Sequence, residues 1–199
     1  MAFITRLFKN SKTLLFTFTL LLLCPIWAAA EGIDIIRSTA VLTSSGQLNI
    51  SSRFKTELPD QLQQALQQGV PLYFTLNYQL SAPSVAAYKS RISQLVGSES
   101  SVSYKLSFHP LTNRYRVTVG TFYSEFNSLE TALRGIGAIA NWRVLPSGTL
   151  NKVAPTNIRA EVRLSLSTSQ LPKPFQINAF TAKNWQLDSG WKSLTISGG

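Results

Sequence analysis

The chain is expected to fold as a mainly β domain of the α+β kind, an antiparallel β-sandwich or curled sheet with two or three short helices. Three observations predict this: apolar residues repeating with period two, turn-forming clusters between those runs, and only short stretches of helical spacing. No internal repeat or low-complexity linker divides the chain.

The first residues stand apart from that domain. Arg6, Lys9 and Lys12 precede the apolar TLLFTFTLLLL and the small residues of IWAAA, the order of a secretory signal peptide. Cleavage is expected after Ala30, with Ala28 and Ala30 as the small residues of the site. The apolar stretch is shorter than the ~20 residues of a comfortable span and Pro25 interrupts it. Retention of residues 14–30 as an inner-membrane anchor is the alternative to release into the periplasm. Cys24 follows Leu23 rather than a small residue, which argues against a lipid anchor. Removing residues 1–30 of 199 leaves 169, enough for one domain over 31–199 that buries about 70% of its unfolded surface. The only Cys and the only Met leave with the leader, so no disulfide or thiol chemistry remains. Loss of its three cations lowers the net charge from +10 to +7, which favours encounter with anions without choosing among them.

Along the remaining chain, IDIIRSTAVL and QLNISSRFKTEL flank Ser44, Ser45 and Gly46 as a hairpin. PDQLQQALQQG reads as a helix from Pro59 to Gly69 with Leu62, Ala65 and Leu66 inward. VPLYFTLNYQL sets Val70, Leu72, Phe74, Leu76 and Tyr78 on one strand face. PSVAAYKSRISQLVG is expected to be a further helix with Tyr88, Ile92 and Val96 inward. In SVSYKLSFH, Val102, Tyr104, Leu106 and Phe108 alternate with polar residues. After the turn PLTN, RYRVTVG does the same with Tyr115, Val117 and Val119, making a second hairpin. NSLETALRGIGAIA predicts a helix capped by Asn127, with Glu130 three residues on and Leu129, Leu133, Ile136 and Ala140 on one side. NIRAEVRLSLS places Ile158, Ala160, Val162, Leu164 and Leu166 inward. Six or more strands are visible.

The chemistry is thin. GIGAIA matches a dinucleotide fingerprint formally, but it ends a predicted helix instead of opening one after a strand, so it reads as a small-residue packing face and no cofactor is expected. His109 is the only histidine, sits at a turn, and has neither cysteine nor a neighbouring carboxylate for a metal site. The nine acids are scattered singly and no serine elbow exists, so an enzyme is not predicted. Basic residues are the better contact candidates: Lys105, Arg114 and Arg116 face outward on one hairpin and Arg159 and Arg163 on a later strand. If those strands are neighbours they form a basic stripe for an anionic lipid or glycan, with a solvated sheet face as the plain reading. Export argues against nucleic acid. Trp185 and Trp191, in NWQLDSGW, are expected to cover the core.

The stretch SQLPKPFQINAF carries Pro172, Lys173, Pro174 and Phe175. Prolines lack amide donors and favour extended backbone, so LPKPF is expected to lead into a strand with Phe175, Ile177 and Ala179 alternating, and to blunt an exposed edge. Its P-x-P spacing is not that of a polyproline ligand.

ALQQGVPLYFTLNYQL, YKLSFHPLTNRYRV, the SLETAL helix with NWRV, and STSQLPKPFQINAF with NWQLDSGW together resemble the exported proteobacterial family catalogued as domain of unknown function 4390, over about Ile35 to Leu194. The chain departs from the family pattern at Pro83 to Ser100, where the family segment is shorter and more aromatic. The resemblance implies an exported Gram-negative protein, encoded beside a two-component sensor kinase, with LPKPF as its signature and no catalytic residue to transfer. The expected function is a non-enzymatic envelope protein binding a protein partner, such as a sensor kinase's extracytoplasmic domain, through edge strands and LPKPF. The alternative is a binder of anionic lipid or glycan through the basic face.

Overall fold

Alternation of apolar and polar residues leaves each strand with one face to bury, and two sheets packed face to face bury both sets at once. The computed structural model describes residues 32–85, 87–89 and 101–199. One sheet has four strands in the order β10-β1-β2-β7, formed by β1 (Ile33–Leu42), β2 (Leu48–Thr56), β7 (Ile139–Arg143) and β10 (Thr195–Gly198). The other has six in the order β6-β5-β4-β3-β8-β9, formed by β3 (Leu72–Ser81), β4 (Ser101–His109), β5 (Arg114–Val119), β6 (Phe122–Phe126), β8 (Arg159–Leu166) and β9 (Lys192–Ser193). Both predicted hairpins are present, β1 with β2 and β4 with β5. In the second turn Asn113 takes φ 51, a left-handed conformation that asparagine tolerates. Pairing is antiparallel except that β10 returns parallel to β1.

The inward faces are those the alternation predicts. Leu72, Phe74, Leu76 and Tyr78 of β3 and Ala160, Val162, Leu164 and Leu166 of β8 are buried, opposite Ile33, Ala40, Leu48, Ile50 and Phe54 of the smaller sheet. Tyr78 also ties the layers together: its hydroxyl donates to the Val144 carbonyl at 2.7 Å and its ring meets Trp142 edge-on at 5.2 Å.

Helix α1 (Asp60–Gln67) follows Pro59 and buries Leu62, Ala65 and Leu66, as its spacing predicts. Helix α2 (Leu129–Gly135) is capped one residue later than predicted, because the Ser128 hydroxyl, not Asn127, accepts from the Thr131 N–H at 3.3 Å. It also stops earlier. Gly137 turns the chain at φ 72 and Ala140 lies in β7, not on a helix face. Of the further helix, residues 85 and 87–89 are helical with Ala87 buried, but Tyr88 is 66% exposed rather than inward. Ile92 and Val96, like the leader, fall outside the described residues. Among the described residues no helix is long and apolar enough to cross a membrane.

LPKPF is the main correction. Instead of leading into a strand, it starts α3 (Lys173–Thr181). Proline's fixed φ suits the first turn of a helix as well as extended chain, and its missing N–H lies where a helix leaves donors unpaired anyway. The Pro172 carbonyl accepts from the Phe175 and Gln176 amides, and Gln176 Nε2 reaches back to the carbonyls of Ser169 and Leu171 at 2.8 and 2.7 Å. Phe175 therefore does not alternate with Ile177 across a sheet. It packs on Trp185 at 5.5 Å, while Ile177 is 67% exposed.

Candidate functional site

The five cations predicted to form a stripe do share the outer face of the six-stranded sheet, since register places Lys105 opposite Thr118 and Tyr73, Arg116 opposite Ser107, and Arg163 opposite Asn77. They do not form a continuous band. β3 separates β4 from β8, and the rows of Lys105 and Arg163 are four positions apart, about 13 Å at 3.3 Å per residue. Two of the five are also committed to carboxylates. Arg116 bonds Glu125 at 2.7 Å and lies 4.5 Å over the Tyr123 ring, and that hydrogen bond holds the Glu125 carboxyl below its usual range. Arg163 Nε donates to both Asp188 oxygens, at 2.8 and 3.0 Å, and its Nη2 also bonds Oδ2. Lys105, Arg114 and Arg159 remain exposed, and among the described residues none of them has a salt bridge.

The Arg163–Asp188 pair explains part of NWQLDSGW. Leu187 and Ser189 bond along β8, through Leu166 N–H to the Leu187 carbonyl and Leu164 N–H to Ser189 Oγ, so this stretch and β9 cover the far edge of the large sheet. Trp185 is buried, as expected. Trp191 is not: it stands 40% exposed, 5.9 Å from the Arg163 guanidinium. Burial alone would raise the Asp188 carboxyl, but hydrogen bonds from Arg163 and the Gly190 N–H outweigh it and bring the pKa below the ordinary 3.8. A carboxyl depressed by folding stabilises above its unfolded value and ceases to as it protonates. Asp188→Asn is therefore expected to lose under about 1 kcal/mol at neutral pH, the pair being more than a third exposed, and that deficit should close as pH falls below 3.8. Urea denaturation across pH checks this, and a deficit constant into acid would count against the ion pair as its source.

Pro172, Lys173 and Pro174 are exposed at the start of α3, so LPKPF is an accessible knuckle between buried Leu171 and the half-buried Phe175. A cleft of about 600 Å³ opens between the ends of β3, β8 and β9, but Glu161, the acid among its lining residues, accepts hydrogen bonds from Gln79 and Ser193. Among the described residues no three side chains converge as metal ligands.

One feature escaped the reading of the sequence. β6 forms the free edge of the six-stranded sheet, its five residues in unbroken register with β5. The other free edges are broken or short: β7 is interrupted at Asn141, φ 53, and by a register shift, β9 has two residues, and β10 has four and includes Gly198. β6 carries no proline, lysine or bulge. Phe122 is 81% and Tyr123 61% exposed. Behind the strand lies a groove of about 260 Å³ lined by Val102, Val117, Val119, Phe122, Phe126 and Ile139. The legible signal was Gly120-Thr121 between two alternations, a two-residue turn with Gly120 at φ 58 and glycine at the first central position. Such an edge offers unpaired backbone groups and apolar contact, the means by which one sheet accepts a strand from another chain.

Comparison with curated proteins and with solved structures gave no match. The family comparison did: the model described as Domain of unknown function (DUF4390) matches residues 30–195, and this chain belongs to that family.

Proposed function

We propose that the chain is an exported, non-enzymatic protein-interaction module of the cell envelope that takes up an extended segment of a partner protein along β6. The carrying observation is the unblunted five-residue edge over an apolar groove. Main-chain bonds along the edge supply affinity, and alternate side chains entering the groove supply selectivity. The leader pattern of residues 1–30 supports export, and the family match begins at its far end. The partner in view is a periplasm-facing protein, such as the extracytoplasmic domain of a sensor kinase.

A photo-crosslinking residue at Phe122 in the full-length chain, used in intact cells, is expected to capture one discrete envelope protein that the same probe at exposed Val41 does not. Ser124→Lys would point an ammonium into the groove and is expected to weaken capture at least tenfold, since burying an unpaired charge costs more than the 1.4 kcal/mol that equals a factor of ten. Adducts of lipid or glycan alone, concentrated at Lys105, Arg114 and Arg159, would replace this reading with the basic-face one. The mature N-terminus in the same sample is expected at Glu31, and a retained Met1 would place the module on the inner membrane.

A further inference from the structure

We infer that β6 of a second copy of this chain is itself an occupant of the β6 edge, pairing antiparallel about a two-fold axis through Ser124. This rests on the reading of β6 as a docking edge and adds a second occupant of it. The argument begins at the turn. With Gly120 and Thr121 as a two-residue loop, Val119 and Phe122 form the closing pair, which exchanges both hydrogen bonds. Bonded and non-bonded pairs then alternate. Phe122, Ser124 and Phe126 turn their N–H and C=O groups toward β5, and Tyr123 and Glu125 turn theirs away from the sheet.

A two-fold axis at Ser124 sets Tyr123 of one copy against Glu125 of the other, twice over, so the residues whose backbone groups point outward are the ones that meet. The side chains agree with that register. On the groove side FYSEF is symmetric in kind, with Phe122 facing the second copy's Phe126 and Ser124 facing its own counterpart, which adds aromatic surface at the lip where Phe122 now stands 81% exposed. On the outer side Glu125 meets a Tyr123 ring that carries the Arg116 guanidinium 4.5 Å from its centroid, so each carboxylate faces a cation across the axis. A shift of one residue would put Phe122 against Glu125 and lose both matches. Five residues a side make a small contact, so the pair is a reversible dimer, with a dissociation constant on the order of micromolar. A strand from another protein would have to displace it.

The chain as the cell processes it, purified and followed by sedimentation equilibrium, is expected to rise from one to two protomer masses across the micromolar range. Tyr123→Pro removes an outward N–H without touching the bonds to β5 and is expected to stay monomeric. Because a proline variant can misfold, a second one carries the test independently: Ser124→Cys, with Cys24→Ser so that it is the only thiol, sits on the axis and is expected to oxidise to a disulfide dimer at least tenfold faster than Ser197→Cys on β10. A monomer at every concentration, a dimer unaffected by folded Tyr123→Pro, or equal oxidation of the two cysteine variants would each overturn the self-pairing. A monomer whose Phe122 probe still captures an envelope protein sinks this inference alone. A β6-dependent dimer whose Phe122 probe captures only a second copy sinks the separate partner and leaves the self-pairing standing.

Discussion

Phe54→Ala is expected to destabilise the fold by about 3–5 kcal/mol, measured as a lowered denaturant midpoint with unchanged slope. Phe54, in the second half of β2, is 1% exposed in the core between the layers, with its ring beside Gly137 and Leu164 of the other sheet also reaching that glycine. Removing the ring takes away its transfer energy and leaves a cavity that two sheets, each fixed by its own ladder of hydrogen bonds, close only in part. Structure within each sheet does not depend on this ring, so the loss should appear as one cooperative transition at lower denaturant. A cost below about 1 kcal/mol would mean that the layers are not packed through Phe54.

The second large effect is expected at Gly137→Ala, about 3 kcal/mol. A methyl there would lie 2.7 Å from Leu164 Cδ2 and 2.9 Å from Phe54 Cδ2, on a backbone at φ 72 where an L residue is strained. Overpacking contributes about 1–3 kcal/mol and the left-handed conformation about 1–2 kcal/mol. The two sites share atoms, so they should couple. In Phe54→Ala the added methyl meets empty space on one side, and the double variant is expected to lose less than the sum of the single losses. Strict additivity would place the glycine's requirement in its backbone alone.

This glycine also shows where reading the sequence fell short. GIGAIA packs in the core, but the helix it is expected to continue through Ala140 ends at Gly135, although Leu129, Leu133, Ile136 and Ala140 keep helical spacing. Two glycines lower helix stability enough for Ile139–Arg143 to pair with β2 instead. LPKPF failed differently. Its prolines fit two backbones, and alternation at Phe175, Ile177 and Ala179 competes with the four-residue spacing of Phe175 and Ala179, which the helix turns inward next to buried Leu171. Trp191 followed from treating a tryptophan as core by type, whereas its neighbour Gly190, at φ 64, turns it out toward Arg163.

The β-rich class, both hairpins, α1 and the inward residues of β3, β4, β5 and β8 can be read from the residues alone, because side-chain direction along a strand is set locally by the pleat. The order of the strands, the split of the five cations into two in ion pairs and three with none among the described residues, and which described strand is left as an edge belong to the folded molecule. Each depends on residues far apart in the chain: Asp188 reaches Arg163 across 25 positions, and β6 is an edge because no other strand of the described residues arrives beside it. Local periodicity carries no record of such meetings, since the free energy that selects among pairings of similar strands belongs to the assembled core.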